Sequence, residues 1–307
     1  MYELIIIGGG PAGVSAGVYA SRKQLKTLFI TKDWGGQSTV STEIQNWIGT
    51  PALSGQKLAD DLKTHLETYA GDFVTIKANV LATNIEKKDD HFVVTLSSGD
   101  SYETKTILIT SGSKRRQLKA LNADLFEHKG LTYCASCDGP IFAGQSVAVI
   151  GGGNAAFETA AQLLAYAKDV TLLQRGPSYR ADPVTVEKVL SHPNMKGITN
   201  LEIESVTGDR FVSGLTYKDQ ATQASKTLAV TGIFVEIGMI PNTDYLASVI
   251  PLDQYGRVKI DPWTQKTETP GIWAAGDCTN ILYHQNNIAA GDAVRALEDI
   301  YVTLRAR

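Results

Sequence analysis

The chain has 307 residues, of which 43% are hydrophobic and 20% charged, the usage of a folded globular protein and not of a disordered or fibrous one. At about 150 residues per domain, that length suggests two domains. With 29 basic and 32 acidic residues the net charge is −3, too balanced for the broad basic surface that nucleic acid binding uses, and no apolar run approaches the roughly 18 to 20 residues of a membrane span.

In chain order, a first strand is predicted at Leu4–Ile7, then the turn Gly8-Gly9-Gly10-Pro11-Ala12-Gly13, an alanine-rich helix, and a second strand at Thr27–Ile30. The opening residues run into that strand without the basic start and cleavage site of a signal peptide, which makes the cytoplasm the expected address. Strand, glycine turn, helix and strand form a dinucleotide-binding pattern. One glycine permits the tight turn, one lets the backbone approach a pyrophosphate, and the third position lets the helix pack on the strand. The helix start then offers free N–H groups and a positive dipole end to the phosphates.

Farther along, His91–Leu96 and Tyr102–Ile109 across Ser97-Ser98-Gly99-Asp100 predict a hairpin that returns the chain to the first sheet. Lys114-Arg115-Arg116 and Gly238–Asn242 read as two crossings between domains, the basic run suiting a solvated linker or an acidic partner surface.

Next comes Cys134-Ala135-Ser136-Cys137-Asp138-Gly139-Pro140. Three cysteines are too few for a secreted disulfide framework. In C-x-x-C spacing one thiolate can attack a partner disulfide and the other can resolve the mixed disulfide. Asp138 beside them can exchange a proton with a thiol, or simply cap a turn. A zinc site would have to recruit Cys278 and five scattered histidines, none in an H-x₃₋₅-H pair, so no metal is expected.

The strand Val147–Ile150, the turn Gly151-Gly152-Gly153-Asn154-Ala155-Ala156, a helix and the strand Val170–Leu173 then repeat the first unit at an offset of 143 residues, 151 minus 8. Gly151 falls on Gly8, Gly153 on Gly10 and Ala156 on Gly13. One such motif is weak; two in register imply two dinucleotides. Strands at Asn200–Thr207 and Phe211–Tyr217 occupy the place matching the first hairpin. Last, an apolar strand ends in Gly276-Asp277, whose carboxylate can reach a ribityl or ribose hydroxyl or merely turn the chain, and a helix is predicted at Ile288–Leu304. Cys278 reads as a small buried residue, and His284 as a contact to a cofactor, not a base.

The ordered set Gly8–Gly13, Gly35-Gly36-Gln37, Glu43-Ile44-Gln45-Asn46-Trp47, Cys134 with Cys137 and Asp138, Gly151–Ala156, Ile237-Gly238 with Pro241-Asn242, Ala274–Asp277 and Gln285 resembles the low-molecular-weight thioredoxin reductases. These are the class II pyridine nucleotide-disulfide oxidoreductases, and the match covers essentially the whole chain. The chain is also similar to the reductase part of the alkyl hydroperoxide reductase flavoprotein, through Thr171-Leu172-Leu173, Thr231–Val235 and Gly276-Asp277-Cys278.

The resemblance implies an α/β fold of two Rossmann-like, three-layer dinucleotide-binding domains, the second inserted in the first. Residues 1–113 and 240–307 would bind FAD, and 114–239 would bind NAD(P)H and carry the redox pair. By the same resemblance Gly8, Gly10, Gly13, Gly36, Gln37, Asn46, Asp277 and Gln285 line FAD, while Gly151, Gly153 and Asn154 cradle the nicotinamide nucleotide. The implied enzyme is a cytoplasmic homodimer, an NADPH-dependent thioredoxin-disulfide reductase. It passes electrons through FAD and the Cys134–Cys137 pair to a thioredoxin-like protein, with Cys137 nearer the flavin and Asp138 as acid/base.

Where NADPH-using relatives carry a His-Arg-Arg run, this chain has Gln174-Arg175-Gly176, with Arg180 beyond. Two guanidiniums and no carboxylate favour NADPH, with NADH possible. The lost arginine keeps open a flavoprotein fed by ferredoxin or another non-nicotinamide donor, and a dithiol oxidase. At the matching strand end of the first unit stands Thr31, not an acid, which leaves its ribose contact unassigned. Gly112 and Gly238 are the hinge candidates.

Overall fold

Along the first strand Leu4 and Ile6 bury into one core and Ile5 and Ile7 into another, all at 5% exposure or less. A strand that is apolar on both faces must lie inside a covered sheet. The computed structural model describes residues 1–41 and 43–306 and divides into two compact units, Met1–Lys114 with Ile240–Arg307, and Arg115–Met239.

The first unit opens with β1 (Tyr2–Gly9), α1 (Pro11–Arg22), β2 (Thr27–Trp34), α2 (Gly55–Ala70), β3 (Val74–Ala78), β4 (Ala82–Lys87), β5 (Phe92–Leu96) and β6 (Ser101–Ile109). The sheet order is β3-β2-β1-β6-β5-β4. In it β1 runs parallel to β2, Ile7 opposite Ile30, and to β6, Ile7 opposite Ile109. The predicted hairpin is present as β5 and β6, antiparallel from Phe92 opposite Thr104 to Thr95 opposite Ser101.

A strand β7 (Ser113–Arg115) marks the first crossing. The second unit follows as β8 (Leu131–Thr132), α3 (Ala135–Asp138), β9 (Ser146–Ile150), α4 (Asn154–Leu163), β10 (Asp169–Leu173), α5 (Pro183–Leu190), β11 (Met195–Ile198), β12 (Leu201–Gly208), β13 (Val212–Asp219), β14 (Ser225–Leu228) and β15 (Gly232–Val235). Its parallel sheet has the order β11-β10-β9-β15-β8.

The strands expected at 200–217 appear as β12 and β13, but with β14 they form a separate three-stranded sheet. The physical difference from the first unit lies in one strand. There the nine-residue β6 serves both the hairpin and the parallel sheet. In the second unit the chain leaves strand geometry at residues 229–231, so β14 ends the meander and β15 starts anew beside β9.

The return crossing is β16 (Met239–Pro241), which pairs with β7 as a two-stranded ribbon. The first unit is then completed by β17 (Ile272–Ala274), parallel to β6, and α6 (Asn286–Arg305). Small residues explain how closely α6 packs. Ala16 and Ala20 of α1 and Ala293 and Ala296 of α6 are all buried in one core with Phe29, Leu66 and Trp273. Among the described residues no helix is long and apolar enough to cross a membrane.

In the second unit Phe157 of α4 is fully buried and meets Tyr179 edge-on, ring centroids 5.0 Å apart. Phe157→Ala is expected to cost about 3 to 5 kcal/mol. Hydrogen exchange in urea would show it as earlier opening of β9, β10 and β15 while β1, β2 and β6 keep their protection.

Candidate functional site

Two helices start on glycine with no side chain to cap them. The residue preceding α1 is Gly10 (φ −79°, ψ −175°) and that preceding α4 is Gly153 (φ −98°, ψ −177°), and neither helix has an acidic residue in its first turn. Helices α2 and α5 are capped. The Ser54 hydroxyl accepts from the Lys57 N–H at the start of α2, and Asp182 accepts from the N–H groups of Val184 and Thr185 at α5. The first-turn N–H groups of α1 and α4 therefore stay open at the positive end of a helix dipole. A Cβ added to Gly10 or Gly153 would meet nothing within 4 Å, so space for a phosphate lies beside those donors. Gly8 (φ +125°) and Gly151 (φ +153°) make the turns themselves. Gly13 has no room for a side chain against the Gly8 carbonyl, and Ala156, fully buried, takes that place in the second unit.

In the first unit the other expected residues are joined by short contacts, some of them at this turn. A Cβ on Gly36 would come within 3.6 Å of the Gly10 Cα. Gln37 Nε2 donates to Asp277 Oδ2 at 3.3 Å and to Ser113 Oγ at 3.1 Å. Asn46 Nδ2 donates to Gln285 Oε1 at 3.2 Å, and Asn287 Nδ2 to the Asn46 carbonyl at 2.7 Å. His284 Nδ1 lies 3.3 Å from Asp277 Oδ1. Gly276 (φ +77°) brings Asp277 to the start of α1, since a Cβ there would lie 3.4 Å from that of Ala12. An open helix start with a carboxylate and an amide beside it, and an amide pair before α6, can hold both a pyrophosphate and a hydroxylated chain. Such a set suits FAD.

Cys278 is buried, donates to the carbonyls of Ile109 and Ala275, and has its thiol pushed up to about 11 by burial. It is a core residue. The Thr31 hydroxyl is committed to the Asp33 carbonyl at 2.6 Å, so the exposed groups at the end of β2 are Lys32 and Asp33.

In the second unit Cys134 and Cys137 are joined by a disulfide, Cα atoms 5.3 Å apart. Cys134 caps α3, its sulfur accepting from the Cys137 N–H at 3.2 Å. Asp138 accepts the Thr132 hydroxyl at Oδ2. Helix α3 rests on the far end of α4, where Ser136 Oγ donates to Gln162 Oε1 at 3.1 Å. Disulfide and glycine turn thus sit toward opposite ends of one helix.

At the end of β10, Gln174 is buried against Gly152 and its amide donates to the Ser178 carbonyl at 3.1 Å. Arg175 and Arg180 are exposed, and neither pairs with a carboxylate among the described residues. Asn154 is exposed and accepts the Asp182 N–H at 2.9 Å, so its oxygen braces the loop before α5 while it sits beside the open turn.

The family model described as pyridine nucleotide-disulphide oxidoreductase matches residues 2–294. A protein of Bacillus subtilis named NADH dehydrogenase is 36% identical over 295 residues, covering 96% of this chain and 57% of the relative. An alkyl hydroperoxide reductase protein of Escherichia coli is 37% identical over 297 residues, with 96% and 57% covered. The chain thus spans little more than half the length of these relatives. Among solved structures, thioredoxin reductase of Streptococcus pyogenes superposes with a TM-score of 0.91 at 31% identity, covering 100% of this chain and 99% of that one. Thioredoxin reductase of Giardia duodenalis does so with 0.92 at 28%, with the same coverage. The α/β fold is the two-domain dinucleotide-binding fold of these reductases.

Sequence reasoning missed Glu236. It follows β15, its carbonyl touches Gly151, and its side chain is 9% exposed. Thr159 of α4 donates to Oε1 at 2.9 Å, and Arg115 lies 3.7 Å from Oε2. Arg115, read as a linker or partner-facing charge, is instead turned onto this carboxylate. Nothing in local spacing links residues 115, 159 and 236; only the parallel order of β9 and β15 brings them together.

Burial pushes the Glu236 carboxyl up from its ordinary value of 4.5, against the pull of Arg115 and Thr159. A raised folded-state value means the folded chain holds the proton longer than the unfolded one, so stability falls as pH rises through that window. Glu236→Gln keeps an acceptor for Thr159 and cannot ionise. Its melting temperature relative to wild type is expected to become more positive from pH 4.5 to neutrality; a difference that shrinks over that range would refute the assignment.

Proposed function

The chain belongs to the pyridine nucleotide-disulphide oxidoreductase family, and from that premise we propose a flavin-dependent disulfide reductase that carries electrons from NADPH, through FAD and Cys134–Cys137, to a thioredoxin-like protein. The observation that supports it most is a disulfide in C-x-x-C spacing on the same unit as an uncapped, glycine-led helix. A second such helix start lies in the other unit.

Bound FAD supplies the step that neither a nicotinamide nor a disulfide performs alone, accepting a hydride and passing on an electron pair. In this reading Gly8, Gly10 and Gly13 admit its pyrophosphate to the start of α1, with Gly36 opposite. Asp277 takes a ribityl hydroxyl, and Gln37, Asn46 and Gln285 orient the remainder. Gly151 and Gly153 admit the nicotinamide nucleotide to α4, with Asn154 beside it. Arg175 and Arg180 meet a 2′-phosphate; the strand-end residue, Gln174, is a neutral amide already bonded to its own loop, so no carboxylate stands there to prefer a 2′-hydroxyl.

In the exchange, a thiolate of the reduced pair attacks one sulfur of the partner disulfide, one S–S bond forming as another breaks. The second thiol then closes the Cys134–Cys137 disulfide and expels the other partner sulfur. Two electrons and two protons leave the pair. Asp138 relays each proton from a thiol of the pair to a departing thiolate.

In this proposal the nucleotide and the disulfide serve the same flavin in turn. Gly112 (φ +63°) and Gly238 (φ +99°), each with nothing within 4 Å of an added Cβ, are the proposed hinge points. Homodimer formation and a cytoplasmic setting belong to the same proposal. A second reading, in which ferredoxin, another non-nicotinamide donor or a small dithiol feeds the flavin, is favoured by one residue, Gly176, in place of an arginine.

Anaerobic stopped-flow absorbance separates these. NADPH is expected to bleach the visible flavin band faster than NADH; bleaching by dithiol but by neither nucleotide would overturn the donor assignment. Arg175→Ala and Arg180→Ala should each weaken NADPH about tenfold, as for loss of a charge-assisted hydrogen bond, while NADH is unchanged. Cys137→Ser should stay yellow and reduce no thioredoxin.

A further inference from the structure

A carboxylate that shuttles protons must be aimed, and α3, which carries Asp138, has only four residues. One turn of helix does not hold its shape alone. The structure supplies three anchors. The Asp138 N–H donates to the Cys134 carbonyl at 3.0 Å. Gly139 lies so close to Tyr166 that an added Cβ would overlap the ring hydroxyl. The third anchor is a side chain: the Thr132 hydroxyl donates to Asp138 Oδ2.

Thr132, like Thr159, which donates to Glu236, differs from most of the buried threonines. Thr27, Thr104, Thr106, Thr110, Thr243 and Thr279 turn their hydroxyls onto main-chain carbonyls, the ordinary way to satisfy a buried hydroxyl. Thr132, 5% exposed, gives its proton to a carboxylate instead. It sits on β8, whose register against β15 sets it opposite the fully buried Phe234, so its backbone is fixed by the sheet. No hydrogen bond among the described residues reaches Asp138 Oδ1, which is left for the thiol proton.

We propose that Thr132 is a positioning residue for the disulfide exchange, tying Asp138 Oδ2 to the sheet so that Oδ1 faces the sulfurs. This rests on the acid/base role of Asp138 given above. In each half of the exchange one proton passes from a thiol of the pair to Oδ1 and on to the departing thiolate, as one S–S bond forms and another breaks.

The leaving group provides the test. An alkyl thiolate needs a proton as it departs, whereas a nitro-substituted aryl thiolate leaves without one. The flavin-loaded protein, reduced with dithiothreitol and desalted anaerobically, is mixed with hydroxyethyl disulfide or with dithiobisnitrobenzoate, and the single-turnover rate is followed against pH. Asp138→Asn is expected to slow the alkyl reaction about a hundredfold, and Thr132→Val about tenfold. Both should slow the aryl reaction, which still gives up a thiol proton but needs none at its leaving group, distinctly less than the alkyl one, and Thr132→Ser should restore the alkyl rate. Thr132→Ala serves if the valine variant does not fold.

An unchanged alkyl rate in Thr132→Val, with Asp138→Asn slow, would overturn the inference and leave the role of Asp138 standing. Equal slowing on both probes would make Thr132 merely structural and overturn it as well. An unchanged rate in Asp138→Asn would remove the acid/base reading itself, and the inference with it.

Discussion

The first-turn N–H groups of α1 and α4 have no side-chain oxygen of their own chain to cap them, and much of the molecule is arranged around that lack of acceptors. A bare helix start is tolerable only where water or an anion can reach it. Both starts therefore lie at the carboxyl ends of parallel strands, β1 and β9, each central in its sheet. The apolar strands, the turns at Gly8 and Gly151 and the small residues at Gly13 and Ala156 all serve to bring helix, strand and open donors into register. In the first unit α6 adds a third start, behind Gln285, again with no side-chain cap and no acid. An anion bound at such a start supplies what a serine or aspartate cap supplies elsewhere, so dinucleotide binding and fold stability are linked by mass action.

From two copies of one pattern the chain has made two different tools. The first unit keeps one continuous sheet and gathers its carboxylate and amides from sequence positions as distant as Gln37 and Asp277. The second unit breaks the equivalent strand into β14 and β15, and its parallel sheet gains β8 as an outer strand. That strand leads straight to Cys134. The redox pair is thereby coupled to the sheet through Thr132 on one side and to α4 through Ser136 and Gln162 on the other. An electron-transfer group that must undergo repeated bond making and breaking is better placed on a rigid sheet edge than on a free loop.

Local spacing carried much of this into the sequence. Both glycine turns, the hairpin of β5 and β6, the strand before Gly276-Asp277 and α6 are short-range patterns, and each is where its pattern implied. What spacing cannot encode is proximity across the fold. Gln37 with Asp277, Asn46 with Gln285, and Glu236 with Thr159 are separated by 240, 239 and 77 residues. The first two are reachable only through resemblance to a family; Glu236 is not reachable at all. Thr132 lies six residues from Asp138, yet nothing in that interval marks a hydroxyl as facing a carboxylate and not a carbonyl. The separate sheet of β12 to β14 escapes a reading that treats the two units as equivalent, and the break at residues 229–231 carries no glycine or proline to announce it.

The first unit is discontinuous, and that has a consequence for biogenesis. Chains emerge from the ribosome amino end first, and domains tend to fold as they emerge. The second unit is one uninterrupted stretch, 115–239, so it can complete its core while the first unit still lacks β17 and α6. Trp273, Ala293, Ala296 and Leu297, all but fully enclosed in the finished fold, arrive only with the last few dozen residues. Until then the face of α1 that packs on α6 has no cover, although α2 already covers another. Of the two units, the one whose residues begin earlier is therefore the last to be finished.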